Sequence, residues 1–207
     1  MKKIILIGYG GHAKSIIDSI RQTEEYEIIG YIDKHSISSE IRYPYLGKDD
    51  ILPNIFKSGI YNAVISVGYL GTSNVRDRLY NLVKDIGFCL PVIFDRTAIL
   101  AENISIGEGT YIGKGVIINT ESEIGRMCII NSGAVVEHEN KVGDFSHVSV
   151  KTVLCGNVTV GDHVFIGANS TIIQGINIRA YSNIGAGSIV LNSVSENMKI
   201  HGVWNGK

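Results

Sequence analysis

From Leu100 to Val190 every sixth residue is aliphatic, sixteen consecutive positions of Leu, Ile or Val without an insertion. A period of six fits neither an amphipathic helix nor the simple alternation of a half-buried strand. It fits a hexapeptide β-helix, in which each six residues form one short flat strand and one corner, and three hexapeptides close a coil of eighteen residues. The aliphatic side chain points into a narrow core. Small residues often stand two positions before it (Ser122, Ala134, Ser146, Ser170, Ser182, Ser188) and are expected to permit tight inner packing. Glycine often follows it (Gly107, Gly113, Gly125, Gly143, Gly161, Gly167, Gly185) and is expected to relax the corner. Sixteen such positions make about five coils, a column roughly 25 Å long at ~4.8 Å per coil. Stacked coils pair their backbones layer to layer and need their ends covered. The preceding region is expected to cap one end, and the tail "SVSENMKIHGVWNGK" to fold over the other.

The first ~95 residues follow another rule, alternating strand and helix patterns. "KIILIG", "YEIIGYID" and "YNAVISVG" read as strands and "CLPVIF" as a last one. "GHAKSIIDSIRQ" and "SNVRDRLYNLVKDIG" read as helices, the second ending at Gly87. Short strands joined by helices imply a small parallel sheet covered on both faces. The chain therefore divides into an α/β domain over 1–96, a β-helix over 97–193 and a C-terminal cap over 194–207.

Hydrophobic residues at 44% and charged residues at 19% describe an ordered, well-packed protein. A formal net charge of −1 gives no electrostatic case for nucleic acid or an anionic membrane. Cys89, Cys128 and Cys155 show no CxxC spacing and read as reduced thiols. The apolar run in "MKKIILIGYGGH" is too short for a signal peptide or a membrane span, so a cytoplasmic protein is expected.

Against this packing-dominated background the stretch "NSGAVVEHENKVGDFSHVSV" is out of character, because it places His138, Glu139 and His147 on the column. His138 lies two residues past an aliphatic marker and His147 one before another. Nine residues separate them, half a coil, so within one chain they project from opposite sides. They converge only if a second column packs alongside.

The hexapeptide column, the "GYGGHAK" turn after a strand, and "VVEHENKVGDFSHVSV" together resemble the NeuD/PglD-type sugar O- and N-acyltransferases of bacteria. The resemblance implies a Rossmann-like half domain for a nucleotide-sugar, a left-handed parallel β-helix, a homotrimer and acetyl-CoA as cosubstrate, with no metal. It implies His138 as general base and Glu139 as the residue that orients it or holds its tautomer, with Glu137 competing for that role. Strand alternation puts residues 138 and 139 on opposite faces, so only a bend at the corner pairs them. For acetyl-CoA the resemblance implies Asn131, His147, Gly156, Ala168 and Ala186; filling of corners by small residues is the plain alternative for the last three. His163 and His201 are read as structural. Where the family carries a "G-x-PAK"-like end, this chain reads "HGVWNGK", and it has Ala186 where Gly is more usual.

The turn "GYGGHAK" follows a strand and opens a helix, so backbone N–H groups and the helix dipole face a phosphate. Read from Gly8 through Gly10 to Ala13 it also resembles a dinucleotide fingerprint, with Asp33 at the end of the second strand. Four strands are too few for a dinucleotide fold, and one nucleotide diphosphate suits them better. By resemblance Gly10, Gly11 and His12 approach the sugar and diphosphate, and Gly8, Asp33, Lys34 and Gly68 complete the pocket. Arg76 on the following helix is in reach of the same pocket, but the reading favoured is an ordinary solvated helix residue. The expected substrate is a 4-amino-4,6-dideoxy sugar linked to UDP, dTDP or GDP. The alternatives are O-acetylation of a sialic acid, a non-catalytic nucleotide-sensing module, and a zinc carbonic anhydrase, which needs three convergent histidines.

Overall fold

A computed structural model describes residues 1–35, 42–71 and 73–206. They form two compact units, one of residues 1–68 and 74–93, the other of residues 69–73 and 94–207. The short segment 69–73 thus belongs with the column, although its sequence neighbours do not.

In the first unit, strands β1 (Lys2–Ile7), β2 (Tyr26–Ile32), β3 (Tyr45–Gly47) and β4 (Asn62–Ile65) make a parallel sheet in the order β3-β2-β1-β4. Ile4, Ile5, Leu6 and Ile7 of β1 are all buried, as a central strand of a parallel sheet requires. Helix α1 (Gly11–Thr23) buries Ala13, Ile16, Ile17 and Ile20, a stripe at three- and four-residue spacing. Helix α2 (Leu52–Lys57) is short and carries Pro53 in its first turn. Helix α3 (Val75–Ile86) stops at Gly87, whose φ of 108° lets its N–H reach the carbonyls of Val83 and Lys84. The run "CLPVIF" adds no full strand to this sheet: Cys89 makes a single bridge to Asn62, and Pro91 has no N–H to donate to a ladder.

The second unit is a β-helix. Three parallel sheets of seven, seven and five strands run along it, and register partners stand eighteen residues apart, as in Ile129↔His147↔Phe165. Ile112, Ile118, Ile130, Val136, Val148, Leu154, Ile166, Ile172, Ile184 and Val190 are fully buried along the axis. Each such aliphatic contributes about 1.5–3 kcal/mol by leaving water.

Two corner details differ from the sequence reading. Left-handed backbone does not fall on the glycines that follow the aliphatics. It falls three residues after each aliphatic, at every sixth residue from Gly109 (φ 69°) to Gly187 (φ 69°), and includes Glu121, Met127, Glu139, Phe145 and His163. The glycines after the aliphatics are there for room. A Cβ on Gly161 would sit 2.6 Å from Ala180 N, the backbone of the next coil.

The small residues two before the aliphatics, expected only to save space, are also braces. Thr110, Ser146 and Ser170 each donate to the carbonyl fifteen residues ahead (Gly125, Gly161, Gly185) and accept the N–H eighteen ahead (Cys128, Val164, Ser188). The tail is not a flap. Val194 bridges to Ile178, Lys199–Ile200 pairs with Asn183–Ile184, and Val203–Trp204 pairs with Ile189–Val190, so residues 194–204 continue the column as a shortened coil.

The two kinds of glycine predict different penalties. Gly115 has φ 63° and open space around its missing Cβ, so Gly115→Ala should cost only about 1–2 kcal/mol of left-handed strain. Gly161→Ala must push coils apart and should cost about 3 kcal/mol or more. Chemical denaturation of the two variants checks the order.

Candidate active site

His138 lies in the corner Glu137–Asn140, between the strand Val135–Val136 and the strand Lys141–Val142. The bend needed to pair it with its neighbour is present: Glu139 has φ 59°, which breaks alternation. His138 Nδ1 lies 2.9 Å from Glu139 Oε2. The carboxylate accepts, so Nδ1 carries the hydrogen and Nε2 keeps its lone pair. Both side chains are 55% exposed, so a ligand can reach Nε2. Glu137, the competing carboxylate, makes no such contact; its backbone carbonyl instead receives Ser122 and Asn140.

Gly156 stands in the equivalent corner one coil on. A Cβ there would lie 2.5 Å from His138 Cε1 and 2.6 Å from Nε2. The room left by the missing side chain is filled by the imidazole, so Gly156 is the seat of the ring.

His147 is placed quite differently. It is 6% exposed on the strand His147–Val148, and its Nδ1 donates to the Tyr69 carbonyl at 2.7 Å. Its Nε2 accepts the Asn131 amide at 3.2 Å, and Asn131 Oδ1 accepts Ser132 N–H at 2.8 Å. Phe165 meets the ring edge-on at 5.3 Å. His147 and Asn131 thus hold each other and the 69–73 segment, which sequence reading did not connect with them. No spacing signal could have found Tyr69, since its partner lies 78 residues away.

Ala168 and Ala186 lie in corners of the same edge as Asn131, eighteen residues apart, with Ala186 exposed. His201 lies over Gly185 on this edge, its Cε1 3.0 Å from where a Cβ would be. The seven-stranded sheet from Ile99–Leu100 to Val203–Trp204 separates the two edges: Asn131, Ala168 and Ala186 precede its strands, while His138 and Gly156 follow them. His163 is stacked between Phe145 and Tyr181, with centroids 5.1 and 5.0 Å away and planes within 6°. His138, His147 and His163 therefore do not converge in one chain.

In the α/β unit, Gly8, Asp33 and Gly68 gather at the carboxyl ends of β1, β2 and β4, where ligands bind open parallel sheets. Gly8 has φ 94°, and a Cβ there would strike Val67 Cγ2 at 2.6 Å. Its carbonyl accepts from buried Ser66 Oγ at 2.5 Å. Gly10 and Gly11 open α1 with nothing within 4 Å of where a Cβ would stand, leaving bare backbone N–H groups at the helix start. His12 packs by Gly68, whose Cβ would be 3.7 Å from His12 Cβ.

Asp33 shapes this loop, its Oδ2 accepting Tyr9 N–H at 2.9 Å and its Oδ1 Lys34 N–H. Tyr9 meets Tyr31 at a tilt, with ring centroids 4.4 Å apart, and burial first, then Tyr43 and Tyr31, push its hydroxyl above the usual phenol range, so it stays neutral. Lys34, next to Asp33, lines a cavity of about 470 Å³ with His35, Lys48, Asp49 and Asp50. Arg76, expected in solvent, is buried at 3% exposure in the first turn of α3. Its place inside the turn of an amphipathic helix gave no sequence signal.

Comparison with known proteins places the fold in a family. Residues 3–83 match the PglD N-terminal domain, and residues 157–192 the hexapeptide repeat of succinyl-transferase. No curated protein matches the sequence. Among solved structures, a histidine-to-alanine mutant of GDP-perosamine N-acetyl transferase from Caulobacter crescentus, in complex with CoA and GDP-perosamine, is 30% identical. The match covers 98% of this chain and 94% of that one, with a TM-score of 0.92. The acetyltransferase domain of PglB from Neisseria gonorrhoeae, 24% identical over 98% of this chain and 97% of that one, repeats the fold with a TM-score of 0.90. The chain belongs to the PglD-like family of hexapeptide-repeat sugar acetyltransferases.

The seat of the ring gives a test. Gly156→Ala should displace the His138 imidazole and cut acetyl transfer about 10²-fold, while the folded state, judged by circular dichroism, survives because the ring is half exposed and can move.

Proposed function

We propose that the protein transfers an acetyl group from acetyl-CoA to the amine of a nucleotide-linked 4-amino-4,6-dideoxy sugar, with His138 as general base. The observation that carries this reading is the His138–Glu139 pair, which leaves Nε2 unprotonated and accessible on a corner of the column. The whole-length relative at 30% identity is a perosamine N-acetyltransferase seen with CoA and GDP-perosamine, which favours a GDP-linked acceptor.

The sugar nitrogen, as a free amine, attacks the thioester carbonyl; the C–N bond forms and the carbonyl oxygen takes the negative charge. Nε2 of His138 accepts the proton that the nitrogen sheds, and Glu139 steadies the resulting imidazolium through Nδ1–H. Collapse of the adduct breaks the C–S bond. The coenzyme leaves as thiolate and takes the proton back, giving amide and free thiol. The nucleotide diphosphate is held by the bare N–H groups of Gly10 and Gly11, with Gly8, His12, Asp33, Lys34 and Gly68 around them.

The acting species is a homotrimer. The outward ladder of the sheet between the two site edges is Ile99, Ile117, Val135, Val153, Thr171, Ile189 and Val203, with Ile99 and Val203 each 64% exposed. The corresponding ladder of the five-stranded sheet is Ser105, Glu123, Lys141, Thr159 and Asn177. An uncovered apolar face beside a polar one asks for a partner. A second copy seated on it brings its own Asn131–Ala168–Ala186 edge to the His138–Gly156 edge, so that one coenzyme touches both.

Thiol release from acetyl-CoA, measured against UDP-, dTDP- and GDP-linked 4-amino sugars and a sialic acid, tests the activity. His138→Ala should lower kcat about 10²–10⁴-fold with folding unchanged; normal turnover by that variant, or turnover of sialic acid alone, sinks the assignment. The assembly is tested by sedimentation. The wild type should run at three times the 22.5 kDa chain mass, and Val135→Asp with Val153→Asp should give inactive monomers.

A further inference from the structure

We infer that Asn140 is a positioning residue for His138, locking the corner that carries it by serving two carbonyls at once, which a brace with a single hydrogen cannot do. The inference rests on His138 being the base proposed above. Asn140 occupies a brace position, two before Val142, where several other corners carry Ser, Thr or Cys and the rest an apolar residue. It is fully buried and performs the usual brace, donating Nδ2–H to Cys155 O at 3.0 Å and accepting Val158 N–H on Oδ1 at 3.0 Å.

It then does one thing more. Nδ2 also donates to the carbonyl of Glu137, three residues back, at 2.5 Å. A hydroxyl has one hydrogen and serves one carbonyl. Ser146 and Ser170 serve the next coil, whereas Ser188 serves the carbonyl three back. A carboxamide has two hydrogens and serves both. Its orientation is fixed, since both carbonyls accept only and Val158 N–H donates only.

The consequence is local and specific. Glu137 O and Cys155 O immediately precede His138 and Gly156, the ring and its seat. One buried amide therefore ties the stem of the imidazole to the stem of its platform, across the two coils that must keep register for Nε2 to stay put. It also closes the Glu137–Asn140 turn around Glu139, whose left-handed backbone brings the carboxylate to Nδ1. Asn140 touches neither substrate nor coenzyme in this scheme; it acts through His138.

The test is Asn140→Ser, which keeps a one-hydrogen brace of the kind found at Ser146 and Ser188 and can serve only one of the two carbonyls, so the tie between them is lost. Asn140→Cys is the second variant, because Cys128 already fills an equivalent corner with Sγ 3.1 Å from Gly143 O. Thr110→Val is the control, removing a brace from a corner that carries no site residue. Expected for both Asn140 variants are a kcat lower by roughly ten- to hundredfold, a KM for acetyl-CoA within about twofold, and no further loss when combined with His138→Ala. ¹⁵N NMR of the His138 ring should show a smaller share of the Nδ1–H tautomer. Thr110→Val should lower the melting temperature and leave kcat alone.

Wild-type kcat and an unchanged tautomer in an Asn140 variant would overturn the inference. So would a loss of equal size on top of His138→Ala, which would mark a general structural effect. If His138→Ala itself turns over normally, the catalytic reading fails while the ring's tautomer still decides whether Asn140 places it.

Discussion

The column depends on one constraint, that up to the shortened last coil each residue stacks on the residue eighteen positions away. Backbone bonds from one coil to the next enforce it, as when His147 N–H reaches Val164 O. Once register is fixed, the chemistry of one ladder is decided together. Aliphatics fill the axis, left-handed residues turn the corners, and at many corners a hydroxyl stitches one coil to the next. Inserting or deleting a single residue would move every later side chain off its ladder, which explains why the run of sixteen aliphatics contains no slip. Rigidity of this kind is useful to a site that must hold a proton acceptor in place before any ligand arrives.

The corners are where the constraint leaves freedom. On a flat strand of two residues the outward side chain faces either a neighbour or solvent and can do little else. At a corner the left-handed residue swings its side chain back over the one before it, and two adjacent residues face the same way. That is how Glu139 reaches Nδ1 of His138; Phe145, His163 and Tyr181, the left-handed residues of successive coils at another edge, stack because they stand eighteen residues apart. The same geometry thus yields a polar pair in one place and an aromatic stack elsewhere. What distinguishes the two outcomes is the local sequence, and beneath His138 the absence of a side chain at Gly156.

Much of this was legible from the period alone. The six-residue repeat gave the column, its core ladder and the half-coil separation of His138 and His147, because those follow from counting. The helix α1 and the stop at Gly87 were readable for similar reasons of spacing and capping. What spacing could not give were contacts between distant segments and the identity of the left-handed residues. Tyr69 joins His147 across 78 residues with no motif to announce it. The glycines after the aliphatics look like turn glycines, yet their need is for space, since the coil beyond occupies the place of a Cβ. Arg76 has the spacing of a surface residue but is buried, and the shortened last coil was unreadable because its period is no longer six.

The two histidines of the conspicuous block illustrate how similar-looking residues separate by what their nitrogens face. His147 has both occupied, one by a backbone carbonyl that forces the hydrogen onto Nδ1, the other by the amide of Asn131. It can neither accept a proton from a substrate nor approach one without dismantling that network. His138 has only Nδ1 occupied, by a carboxylate that complements a positive ring, and its other nitrogen stands at a half-exposed corner. A base must gain charge in the transition state, and a partner that becomes more favourable as that charge develops lowers the barrier, whereas a partner already satisfied by the neutral ring does not. In the mechanism we propose, the division of labour is then set by hydrogen bonds: His138 keeps one ring nitrogen open to a substrate, and His147 has both engaged.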